Sequence, residues 1–109
     1  MDFEQTMMEL LISAGEARSH AMSAIQFARK KQWQQADEAL AASLEASKGA
    51  HHIQTQLIGA DEGCGKVPVT LILVHAQDHL MNAMLCRDLA EEIVLLRKEL
   101  LGGERLTEA

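Results

Sequence analysis

The sequence predicts an all-α fold, an elongated antiparallel three-helix bundle, and three observations carry that prediction. Alanine and leucine supply 31 of the 109 residues against 14 of the β-branched types, with one proline and no tyrosine. This is the usage of helix formers rather than of strands. Apolar residues then recur at spacings of three and four in three long stretches, the period of a helix with one buried side. One short break and one glycine-rich break separate the stretches, so successive helices turn back on each other. The whole chain, 1–109, is expected to form a single domain.

The first helix is expected over about residues 3–31, with Met7, Leu10, Ala14, Ala17, Ala21, Ile25 and Ala28 on one side. That stripe is mostly alanine, so a neighbouring helix can come close. Lys30 and Lys31 place positive charge where a helix C-terminus favours it. The second helix, about 33–58, repeats through Trp33, Ala36, Ala39, Ser43, Ala46, Ala50, Ile53 and Leu57. Gly49 lies inside it at a cost of about 1 kcal/mol relative to alanine, so a close packing contact is expected there. Residues 59–68 hold three glycines and the proline and read as a loop. The third helix, about 69–101, ends at Gly102-Gly103, and the tail 102–109 is expected to fray.

Charge excludes several classes of partner. Sixteen acidic residues stand against ten basic ones, a net charge of -6, with no Lys/Arg-rich block, so neither nucleic acid nor anionic lipid is expected to bind. Val67 to Ala76 is the longest charge-free apolar stretch, far short of the roughly 20 residues of a membrane helix. No charged-then-apolar segment opens the chain, and a cytoplasmic protein is expected. Cys64 and Cys86 lack any disulfide or C-x-x-C spacing and read as free thiols. The six methionines read as core filling, and His20 as a surface residue.

The third helix carries the informative pattern. Leu71, His75, Asp78, Asn82, Leu85, Leu89, Ile93, Leu96 and Leu100 fall within a wedge of roughly 80°, so an imidazole, a carboxylate and an amide interrupt an apolar stripe. Ile72, Ala76, Ala83, Ala90 and Val94 make a second side apolar, and Leu73, Leu80 and Met84 a third. A helix apolar over most of its circumference is buried on more than one side, which one three-helix bundle does not provide, so this helix is expected to oligomerise. At a subunit boundary, copies of Asp78 would face one another, and like charges in contact demand shared protons or a cation. A divalent cation on a symmetry axis answers this; a solvated or lysine-paired Asp78 is the plainer alternative.

His75 has two readings: a core histidine satisfied by Asp78, or a nucleophile oriented by a carboxylate. His75 and His79 also have the i, i+4 spacing of a zinc pair, without the further ligands zinc takes. Gln77 lies about 200° from His75 and would reach it only across a subunit boundary. His51 and His52 are weaker candidates, since a tandem pair puts only one ring on a given face, and Gln54 beside them is as readily solvated.

The segment Val74-His75-Ala76-Gln77-Asp78-His79-Leu80-Met81 resembles the signature of the enzyme IIA components of the lactose, cellobiose and diacetylchitobiose branch of the bacterial phosphoenolpyruvate-dependent sugar phosphotransferase system. The likeness extends to Ala14-Gly15-Glu16-Ala17-Arg18-Ser19, to Ala50-His51 with Gln54-Thr55, and to the glycine-rich loop, and so covers nearly the whole chain. It implies three-helix subunits in a homotrimer of nine helices, His75 as the phosphorylated nucleophile, and Asp78 from three subunits around a shared divalent cation. Gln77 and His79 match positions that shape or hydrogen-bond the phosphoryl site. The implied donor is HPr, and the implied acceptor is a cysteine of the cognate IIB component, which hands the phosphoryl group to sugar entering through a membrane IIC component. Ala76, where lactose-type members tend to carry glycine, and Gln54-Thr55-Gln56-Leu57-Ile58 favour the cellobiose or diacetylchitobiose type. Two other readings stand beside this one: a histidine phosphotransfer module of two-component signalling, and a non-catalytic helical adaptor in which the polar stripe only sets register.

Overall fold

The structure, a computed structural model, describes residues 2–102, so the tail expected to fray lies outside the described residues but for Gly102. Three helices make up the fold: α1 (Phe3–Arg29), α2 (Trp33–Asp61) and α3 (Leu71–Leu101), with no strand among the described residues. Asp2 starts α1 by accepting the Gln5 backbone N–H on its carboxylate at 3.2 Å, which satisfies one of the orphan donors of the first turn. Thr70 starts α3 in the same way, its hydroxyl accepting from the Leu73 N–H at 3.2 Å. Gly102, at φ 82°, stops α3 in the left-handed region, and its N–H closes on the Lys98 carbonyl.

The second helix is longer than expected, running to Asp61 rather than to residue 58. Gly59 and Ala60 do not break it; the turn comes at Glu62, which takes up φ 53°. Asp61 then accepts the Val67 N–H on its carboxylate at 3.0 Å and folds the connection back, with Val67 buried beneath it. The connection therefore covers residues 62–70, and α3 begins at Leu71 rather than 69.

The bundle measures 52 × 25 × 16 Å, with α1 packed along both other helices and α2 and α3 touching less. Its core has two layers. Met7, Leu10, Ala14 and Ala17 of α1 meet Ala50 and Leu57 of α2 and Ala76, Leu80 and Ala83 of α3. Nearer the α1–α2 turn, Ala21, Ala24 and Ala28 meet Ala36, Ala39 and Leu40, with Ala90 and Val94. Alanine on α1 brings the helices close enough for the buried Ser43 hydroxyl to donate to the Ala17 carbonyl at 2.6 Å.

Several side chains sit elsewhere than their apolar character predicts. Ala24 takes the core place expected of Ile25, which is only half-buried. Met7 is core, but Met8, Met22 and Met81 are exposed, because an apolar residue at helical spacing does not reveal which side faces inward. Gly49 is exposed and a Cβ built on it would touch nothing within 4 Å, so no close contact explains it. Lys98, by contrast, is only 1% exposed, its ammonium held by both Asp37 carboxylate oxygens at 2.7 and 2.9 Å. That pair clamps the end of α3 to the start of α2. His20 is exposed, and Cys64 and Cys86 are free thiols.

Candidate functional site

The buried side of α3 is Ala76, Leu80, Ala83, Ala90, Val94 and Lys98. With those residues inward, helical geometry turns the polar-interrupted stripe to the outside of the bundle. Leu71 is 87% exposed, Leu85, Leu89 and Leu96 are more than half exposed, and His75, Asp78 and Asn82 stand among them in solvent. His75 is therefore not a core histidine, and no hydrogen bond joins it to Asp78 among the described residues.

His75 and His79 lie one turn apart with ring centroids 6.1 Å apart and planes within 2° of parallel. His79 is half-buried at the seam with α1, where a Cβ on Gly15 would lie 3.7 Å from its Nε2. Asp78 accepts from the Asn82 side-chain amide on Oδ2 at 3.2 Å and forms no ion pair among the described residues. No three His, Cys, Asp or Glu side chains of the described residues gather into a metal site, which leaves His75 and His79 without the further ligands zinc requires.

Gln77 points the other way. Its Oε1 accepts from the Gln54 amide on α2, and the same Gln54 nitrogen lies 3.9 Å from the Met81 sulfur. Gln54 is thus half-buried in a link between helices rather than solvated. The spacing along α3 already turns Gln77 away from His75, whereas nothing in the sequence assigns Gln54 a role; the pairing of two half-buried amides across α2 and α3 is what the fold adds. His51 and His52 are exposed on a groove of about 330 Å³ that Ser47 and Met84 also line. They do not meet His75.

Chemically, His75 offers an accessible imidazole on an open face. A groove of about 380 Å³ lies nearby between α1 and the start of α3, lined by Phe3, Met7, Pro68 and Ile72 among others, but it does not include His75. A small molecule would find few walls around this histidine; a second protein surface could cover it. No described helix is long and apolar enough to cross a membrane.

Comparison with known proteins agrees with this geometry. The sequence matches the family described as "PTS system, Lactose/Cellobiose specific IIA subunit" over residues 5–98. It is 42% identical over 99 residues to the N,N'-diacetylchitobiose-specific EIIA component of Escherichia coli K12, covering 91% of this chain and 85% of that protein. The crystal structure of the cellobiose-specific enzyme IIA from Bacillus anthracis superposes with a TM-score of 0.89 at 41% identity, covering 95% of both chains. The IIA(Chitobiose) of Escherichia coli, solved in solution in complex with HPr, gives a TM-score of 0.81 at 40% identity over 93% of this chain and 98% of that one. The chain that carries an exposed His75 on the outer face of α3 therefore belongs to the lactose/cellobiose-specific IIA family of the sugar phosphotransferase system.

Proposed function

We propose that this chain is a phosphoryl carrier that accepts phosphate from phospho-HPr on His75 and passes it to a cysteine of the cognate IIB component. The observation that carries the proposal is the accessible imidazole of His75, with no hydrogen bond among the described residues, on an open face of a IIA-family chain. A nitrogen lone pair of His75 attacks phosphorus, the donor's P–N bond breaks, and its electron pair returns to the donor imidazole. Each ring keeps the proton on its other nitrogen. A cysteine thiolate then attacks the same phosphorus and displaces His75. Two P–N chemistries of similar lability make the first step nearly balanced, so the protein's task is positioning and charge stabilisation.

His79, stacked on His75, and Gln77 support the phosphoryl site. The complex formed by the Escherichia coli chitobiose relative supports HPr as donor. In this reading the exchange takes place in the cytoplasm and the sugar enters through a membrane IIC component. Similarity to diacetylchitobiose- and cellobiose-specific components, with Ala76 after His75, supports uptake of a β-linked disaccharide of that type rather than lactose.

A homotrimer built on the outer face of α3 accounts for the uncovered apolar stripe. Asp78 suits a hard divalent cation such as Mg²⁺: it supplies carboxylate oxygens, Asn82 braces one of them, and the described residues of its own chain gather no set of three ligands that could hold the ion without copies. Copies of Asp78 from three subunits would hold the ion, which would neutralise their mutual repulsion. The protein incubated with phosphoenolpyruvate, enzyme I and HPr should gain one acid-labile phosphoryl group in its intact mass, and His75→Gln should gain none. A label that survives in the variant would assign the nucleophile elsewhere.

A further inference from the structure

We propose that Gln54 is a positioning residue for phosphoryl transfer on a neighbouring subunit: it fixes the Gln77 amide so that its N–H groups face His75 of the next copy. This rests on the trimer and nucleophile readings above. Gln54 Nε2 faces two acceptors at once, Gln77 Oε1 and, at 3.9 Å, Met81 Sδ. Reversing the Gln54 amide would set its oxygen against both. With Oε1 of Gln77 occupied, the free edge of that carboxamide is its NH₂. Phosphoryl oxygens and an unprotonated imidazole nitrogen are acceptors, so only that edge can serve them; an untethered glutamine would present either edge.

Helical phase decides which histidine is served. Gln77 is about 200° around α3 from His75, beyond reach of its own chain's ring. His79 lies on the flank beside α1, where Gly15 approaches it, His75 stands at the edge of the outer stripe next to His79, and Gln77 lies on the flank tied to α2. In a closed rotational ring about the outer stripe each subunit presents one flank to one neighbour and the other flank to the other. The α1 flank of one copy therefore meets the α2 flank of the next, which sets His75 opposite a neighbour's Gln54–Gln77 pair.

The test is a complementation across the boundary. Gln54→Glu offers only acceptors to Gln77, turns that amide round and exposes its carbonyl. The rate of phosphorylation by phospho-HPr should fall about tenfold or more, the loss of one hydrogen bond to a charged group, while helicity and trimer mass stay as in the parent. Gln54→Leu, which merely releases Gln77, should fall less. Mixed trimers carrying Gln54→Glu and His75→Gln chains, purified through two different tags, always contain one His75 facing an intact Gln54–Gln77 pair. One site per mixed trimer should regain the parent rate. Mixed trimers no faster than Gln54→Glu alone, or a Gln54→Glu protein as fast as the parent, would overturn the proposal. If the parent itself forms no trimer or takes no phosphate on His75, the underlying reading fails, which is seen before any Gln54 variant is made.

Discussion

The two sides of α3 use their apolar residues in opposite ways. Toward α1 and α2 the helix shows Ala76, Ala83 and Ala90 with Leu80 and Val94, mostly small residues with no exposed surface. Away from them it shows Leu71, Leu85, Leu89, Leu96 and Leu100, larger side chains that the three-helix bundle leaves more than half in water. Burial is worth about 25 cal/mol per Å² of apolar surface, so an arrangement that put the bulkiest residues outside would be unfavourable for an isolated subunit. Small residues inward let three helices close on one another; large ones outward would supply area for the packing against copies proposed above. The charges follow the same division. Lys98 on the inner side is answered within its own chain by Asp37, whereas Asp78 on the outer side has only the Asn82 amide among the described residues.

Substitutions on the two sides should therefore differ in what they disturb. Lys98→Ala empties a buried site and strips Asp37 of its partner, and should lower subunit stability by about 3 kcal/mol in chemical denaturation, towards the lower end for a broken buried pair because Asp37 is partly exposed. A loss below about 1 kcal/mol would mean the clamp contributes little. Asp78→Leu should act in the opposite direction. With the facing carboxylates replaced by apolar contacts, the assembly should be unchanged or stabilised by about 1–3 kcal/mol in the presence of a chelator, and should bind no divalent ion in calorimetry. A variant that dissociates would remove Asp78 from the axis. Smallest is Gly49→Ala, away from both sides of α3, where a Cβ meets nothing and helix propensity alone should add about 0.5–1 kcal/mol to thermal stability. Destabilisation there would reveal a contact that one subunit does not contain.

How much of this is readable in the sequence depends on the kind of interaction. Periodicity is local, so Met7, Leu10 and Ala14, or Ala36, Ala50 and Leu57, identify their helices and their inward sides. The wedge that holds His75, Asp78 and Asn82 is readable for the same reason, and so is the displacement of Gln77 to another side. Pairings between distant positions are not local. Lys98 near a helix end reads as a solvated residue favoured by the dipole, and nothing near it points to Asp37, 61 positions away. Gln54 and Gln77 are likewise 23 positions apart, and glutamines carry no pattern that marks a pair. Methionine shows the other failure: Met8, Met22 and Met81 are apolar and helically spaced, yet face out, because hydrophobicity alone does not say which side of a helix its neighbours cover.

The outer face of α3 as the meeting place of three subunits is the claim on which the cation site and the shared histidine site both depend. Light scattering on the parent and on Leu89→Glu, a change in the middle of that face, tests it most directly. The parent should have three times the 12.0 kDa chain mass, and the variant should have the mass of one folded, fully helical chain. A parent that runs as a single chain, or a Leu89→Glu trimer as firm as the parent, would contradict the account.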